Sequence, residues 1–225
     1  MKRTKIKDRI LPTYTKGEEL MNMVTHIIGG VIGVVALVLC IIFSCIHQDG
    51  YALAGSIVFG VSMILLYTTS SIYHGLSPKK STAKKVFQIL DHCTIFILIA
   101  GTYTPILLTN IRIYSPALAW SLFGILWGVA ILGIIFNSID LKRYKTFSMI
   151  CYLAMGWCIV ITAKDIVSIL GVPAVILLLA GGIAYTIGAI LYGIGKRKKY
   201  FHGIFHISVN TGSLLHFLCI LLYII

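Results

Sequence analysis

Charge is what this sequence has least of. Of its 225 residues only 12% are charged, and the acidic ones number just 7. Soluble domains carry roughly 25% charged and about 45–50% apolar residues. Here 58% are hydrophobic, and the mean hydropathy is +0.95. So little polar surface cannot cover so apolar a core in water. That excludes an ordinary soluble domain and makes lipid part of the solvent. Paired cysteines are missing as well. Cys40, Cys45, Cys93, Cys151, Cys158 and Cys219 all fall in apolar runs, and none forms a CxxC pair. This excludes a disulfide framework and zinc-finger spacing, and leaves them as small apolar side chains. No cleavable leader is expected either. Residues 1–20 are polar and basic, no small-residue cleavage site follows a short apolar core, and the first apolar run is expected to stay in the membrane.

What is present is a series of long apolar runs. A helical span needs about 20 such residues. Seven runs qualify: 24–46, 51–74, 86–108, 116–136, 146–164, 171–194 and 202–225. The expected fold is therefore all-α: a cytoplasmic segment at 1–20, then a seven-helix transmembrane domain at 21–225, with no room for a second domain. The 19 Lys and Arg residues sort by connection. The N-terminal segment and the second, fourth and sixth connections hold 17, including Lys79, Lys80, Lys84 and Lys85; the others hold only Arg112 and Lys164. The positive-inside rule then puts the N-terminus in the cytoplasm, and seven crossings put the C-terminus outside. The net charge of +12 thus reads as topology. It lies in short loops rather than along one face, so nucleic acid is not an expected partner. Gly29/Gly33 and Gly124/Gly128, each four apart, suit close helix packing. Pro105 should kink the third span, and Tyr114 and Tyr144 suit the membrane interface.

Ionisable residues inside spans cost about 2.5–3.5 kcal/mol each at the centre and mark function by default. His202 and His206, at i and i+4, share one helix face, the spacing two imidazoles need to share a metal ion. Ser70 and His74 have the same spacing at the inner end of the second span. Asp91 lies just inside the third. The topology places all five in one layer of the cytoplasmic leaflet. That placement serves two readings. Three imidazoles with a carboxylate nearby make a metal site with its fourth position open for water; the same groups also serve as interhelical hydrogen-bonding partners. Glu19, Asn22 and His26 form one stripe entering the first span, read as a capping or helix-anchoring network in preference to a direct catalytic role, with His26 able to serve as a fourth metal ligand but unneeded as one. His92, His216 and His47 are read as structural. Asn210 continues the His202–His206 stripe toward the inner cavity.

The motifs Glu19-x-x-Asn22-x-x-Thr25-His26, Ser70-x-x-x-His74, Leu90-Asp91, Leu-Ile-Ala-Gly-Thr-Tyr-Thr-Pro at 98–105 and His202-x-x-x-His206 occur in this order. Together they resemble the hemolysin III family, the bacterial branch of the progestin and adipoQ receptor superfamily that includes adiponectin receptors. The likeness covers essentially the whole chain. It implies a seven-helix protein of the bacterial plasma membrane with Zn2+ held by His74, His202 and His206, Asp91 contacting the water at the metal and Ser70 beside it. Animal receptors carry a long cytoplasmic N-terminal region. With only about 20 residues before the first span, adiponectin binding is not expected here.

Three functions follow from the resemblance. The first is a zinc-dependent intramembrane hydrolase acting on a membrane lipid, an amide by analogy with ceramidases, with Asp91 as general base and Ser70 as oxyanion donor. The second is a cytolytic, pore-forming hemolysin. The third is a receptor-like regulator of membrane lipid composition in which zinc is structural.

Overall fold

Three of the long helices start where a side chain accepts the first free amides. Thr15 caps α1 (Lys16–Ile46) in a capping box: its hydroxyl accepts the Glu18 amide at 3.3 Å, while Glu18 Oε2 accepts the Thr15 amide at 2.9 Å. Asp49 accepts the Tyr51 and Ala52 amides to begin α2 (Gly50–Gly75). Helix α3 (Ser81–Ile106) follows. Ser115 caps α4 (Pro116–Asp140), whose proline at the first turn needs no amide partner. Then come α5 (Lys145–Gly156), a 3-10 stretch at Cys158–Thr162 and a short helix at Ile166–Leu170. Gly171, at φ +80°, turns the chain into α6 (Val172–Ile194). The last helix is α7 (Phe201–Tyr223). The computed structural model describes residues 4–47, 49–77, 81–162, 165–195 and 198–225. Lys2, Arg3, Lys79, Lys80, Lys164, Lys196 and Arg197 of the charge count lie outside the described residues, as does the end of the fifth expected span.

Among the described residues, six helices are long and apolar enough to cross a membrane. The fifth expected span, 146–164, is instead the 12-residue α5 followed by a 3-10 stretch. At 1.5 Å per residue α5 is about 18 Å long, short of a hydrocarbon core of about 30 Å. A run of apolar residues fixes burial in lipid but not an unbroken helix.

Helix α3 is the hub: 78% of its most apolar window is buried, against 22–50% in the other five. It packs on α2 and α4, α1 packs on α2 and α7, and α6 packs on α7. Pro105 does not end it. The helix passes into a π-helical turn at Leu107–Ile111, just beyond the proline, and resumes at Arg112–Tyr114. Gly29 and Gly33 do serve close packing: a Cβ at Gly29 would meet the Tyr67 ring at 2.5 Å, and one at Gly33 would meet Met63 at 3.1 Å. Gly124 and Gly128 do not, because a Cβ at either would touch nothing within 4 Å. Their face of α4 meets no other helix among the described residues of this chain, so their spacing serves no packing within it.

The ends of α1 and α7 are tied together by an unusual turn. Tyr200 precedes α7 with φ 64°, a left-handed conformation costing a non-glycine residue about 1–2 kcal/mol. Its amide donates to Glu18 Oε1 at 3.0 Å. One carboxylate therefore caps α1 and anchors the start of α7, which sets the histidines of α7 against the polar stripe of α1.

Candidate metal centre

His74 sits at the end of α2; His202 and His206 are one turn apart at the start of α7. One nitrogen from each lies within 4.8 Å of the other two. The ring centroids are 5.3 Å (His74–His202), 5.1 Å (His74–His206) and 4.6 Å (His202–His206) apart. Tetrahedral zinc with Zn–N bonds of about 2.0–2.1 Å sets ligand nitrogens about 3.3 Å apart, so small ring rotations close the triangle.

Neighbouring groups choose the tautomers. The ionised Glu19 carboxylate only accepts, so its 2.7 Å contact with His74 Nδ1 places the proton there. The amide nitrogen of Asn22, 3.4 Å from the same atom, then faces another donor and makes no bond. His206 Nδ1 donates to the Asn22 carbonyl oxygen at 3.1 Å. Both rings are left with an unprotonated Nε2. That of His74 is buried without a hydrogen-bond partner, as is the Oγ of Ser70 one turn away. A buried acceptor without a donor costs about 1–3 kcal/mol, and a cation held by the three imidazoles removes that cost. The donor set therefore fits zinc, whose histidine ligands are ordinarily oriented by just such acceptors on the far nitrogen.

Each expected site residue takes up a definite place. Ser70 is fully buried beside His74. Asp91 lines one cavity with His202 and His206, but its carboxylate lies 3.6 Å from the Nδ1 of its neighbour His92 and makes no hydrogen bond to the three histidines among the described residues. Glu19 and Asn22 are not caps, because Glu18 takes that role; Glu19 and the Asn22 backbone carbonyl instead hold the rings of His74 and His206. His26 stacks on His206 at 3.6 Å with planes 14° apart, edge-on to Tyr67, and neither of its nitrogens has a hydrogen-bond partner. Asn210 does not reach the cavity; its amide donates to the Thr25 carbonyl at 2.7 Å and ties α7 to α1. His92 donates to Gln88 and His216 to Leu178, both backbone carbonyls. His47 caps the far end of α1.

Two residues of the site escaped the sequence reading. Lys84, counted among loop charges, lies inside α3, is 2% exposed and donates to Glu19 Oε1 at 2.6 Å. Its sequence signal was its position seven residues before Asp91, on the same helix stripe. Tyr14 belongs to the N-terminal segment, which folds back under the site: its ring stacks on His202 at 5.2 Å and lies 5.9 Å from His74. Burial, Tyr192 and the carboxylates of Glu19 and Asp91 push its phenol up from the ordinary value, so it remains a neutral hydrogen-bond donor. No local pattern announces a contact nearly two hundred residues long.

Two hollows adjoin at His202. One, of about 160 Å³, runs between α3, α5, α6 and α7, from Asp91 and His206 past Leu98 and Ile99 to His216. The other, of about 300 Å³, lies between the N-terminal segment and the helix ends, bordered by Arg9, Tyr14, Lys142 and Lys145. Asp91, Lys145, Tyr192 and His202 border both.

Long apolar helices around a buried three-histidine cluster define a multi-pass helical membrane protein with a candidate metal centre. Comparison with known proteins makes this specific. The family model described as Haemolysin-III related matches residues 14–217, and the chain belongs to that family. Hemolysin-3 of Bacillus cereus is 41% identical over 92% of this chain and 92% of its own length. The Hemolysin-3 homolog of Bacillus subtilis (strain 168) is 39% identical over 93% and 96%. The human monocyte to macrophage differentiation factor is 27% identical over 74% of this chain and 69% of its own length. This animal match supports the wider superfamily resemblance.

Proposed function

We propose that this chain is a zinc-dependent hydrolase of the cell membrane, acting on lipid amides at a site in the cytoplasmic leaflet. The carrying observation is the His74–His202–His206 triangle with the unpartnered Nε2 of His74, two of whose members, His202 and His206, line an apolar cavity. These three residues would hold the ion. Bound zinc supplies Lewis-acid chemistry and brings the pKa of a water down to about 7. Asp91, on the wall of that cavity, takes the proton as general base. Ser70 donates its unpartnered hydroxyl to the oxygen that gains charge. Leu98 and Ile99 hold an acyl chain out of water. The topology belongs to the same proposal: α5 with its 3-10 extension completes a seventh crossing, the N-terminus is cytoplasmic and the C-terminus is outside, in keeping with the 17-to-2 distribution of basic residues. The partner is then the membrane lipid itself, in a bacterial plasma membrane.

The test is a screen of lipid amides and esters with pure, zinc-loaded protein in detergent and in bilayers. Cleavage lost in Asp91→Asn supports the proposal; no cleavage of either class by folded, zinc-loaded protein rejects it. The names of the Bacillus relatives favour a second reading, membrane lysis. Leakage from liposomes that persists in His202→Ala/His206→Ala points to a pore. A deletion strain with altered membrane fluidity, restored by Asp91→Ala, points instead to a regulator with structural zinc.

A further inference from the structure

Lys84 is the most deeply buried cation of the chain's described residues, at 2% exposure. Its neighbour Lys85 shows what a topology marker does: it stays exposed and reaches the Lys7 carbonyl oxygen at 2.8 Å. Lys84 instead turns inward. Its ammonium donates to Glu19 Oε1 at 2.6 Å and to the Leu76 carbonyl at the end of α2 at 2.9 Å, and lies 5.3 Å from the Tyr73 ring. Burying a lysine costs several kcal/mol unless it is paired and hydrogen-bonded, so a buried one calls for a role that an exposed one cannot fill.

The carboxylate it grips supplies that role. Glu19 has two oxygens. Oε2 accepts the Nδ1–H of His74 and Oε1 is fixed by Lys84. The chain Lys84–Glu19–His74 runs from α3 through α1 to α2 and ends at the unpartnered Nε2 of a ring whose centroid lies 5.3 Å from that of His202 and 5.1 Å from that of His206. We propose that Lys84 is a positioning residue for the metal centre: by fixing Glu19 it holds His74 in the Nδ1-protonated tautomer, with Nε2 presented to the ion. The Leu76 contact makes the device rigid, because the same ammonium ties down the helix end two residues after His74. The proposal rests on the zinc reading but reaches past it, to a residue that touches neither the ion nor any of its ligands.

A double-mutant cycle on the full chain in detergent tests it. Zinc affinity is measured by competition with a chromophoric chelator for wild type, Lys84→Met, Glu19→Gln and Glu19→Gln/Lys84→Met. Losing an outer partner of a ligand histidine weakens metal binding by about 10–100-fold, and that loss is expected for Lys84→Met and for Glu19→Gln. If Lys84 acts through Glu19, the two losses do not add, and the double variant binds zinc like Glu19→Gln alone. Affinity within about threefold of wild type for Lys84→Met overturns the proposal, as does a further loss of about tenfold on adding Lys84→Met to Glu19→Gln. The second comparison keeps the test decisive where Lys84→Met alone fails to fold, because the double variant buries no unpaired charge. A folded wild type that takes up no zinc sinks the zinc reading instead. Nitrogen NMR of His74 then decides: an Nδ1–H tautomer in wild type that gives way to a mixture in Lys84→Met upholds the relay, and the same tautomer in both overturns it.

Discussion

Replacing His26 separates a three-histidine centre from a four-histidine one. Its ring lies 3.6 Å from that of His206, with planes only 14° apart. An imidazole binds a metal along a lone pair lying in its own ring plane. An ion bound in the ring plane of His206 would lie well out of the plane of His26, so in the proposed centre His26 would pack against a ligand rather than be one. His26→Phe keeps the stack on His206 and the edge contact with Tyr67, and removes two buried nitrogens that have no partner. Each such atom costs about 1–3 kcal/mol, so the variant should melt at or above the wild-type temperature, with about one zinc per chain retained. His26→Ala removes both ring contacts and should cost about 3 kcal/mol, as other large aromatic truncations do. The assays are thermal unfolding in detergent and zinc content by mass spectrometry. A folded His26→Phe protein without zinc would refute the reasoning and make His26 a ligand.

Asp91→Asn should leave zinc content unchanged and slow lipid-amide cleavage by about 10²–10⁴-fold, the usual contribution of a general base; parallel metal and turnover measurements check this. Glu18→Gln should lower stability by about 1–2 kcal/mol, because it weakens the cap of α1 and the anchor of Tyr200 together; thermal unfolding reads the shift. Gly29→Leu drives a side chain into Tyr67 and Asn210. It should cost more than the 1–3 kcal/mol of ordinary overpacking, while Gly124→Leu, facing open space, should change the melting temperature little.

The apolar helices and the three clustered histidines were legible because both rest on local periodicity. Long apolar runs mark spans, and a four-residue spacing puts His202 over His206 and Ser70 over His74. Their convergence followed from the expected topology, which set the end of α2 and the start of α7 at one surface. What stayed hidden depended on contacts distant in sequence or on small angular differences. Glu18 and Glu19 are equally plausible caps in sequence, and about 100° of helix rotation sends one to Thr15 and the other to His74 and Lys84. Lys84 looks like a loop charge until α3 is seen to begin at Ser81. Tyr14 reaches His202 only because the N-terminal segment folds back, held by a Thr4 amide to Asp140 carboxylate bond at 2.8 Å. The break after Gly156 lies in a run as apolar as its neighbours, so hydropathy alone marks no boundary there.

Metal content by mass spectrometry, on detergent-purified wild type and on His202→Ala/His206→Ala, addresses the metal centre most directly. Wild type should carry about one zinc per chain and the double variant essentially none, with both proteins folded. A folded wild type without bound metal after loading, or a double variant that keeps its zinc, would contradict a centre built on His74, His202 and His206.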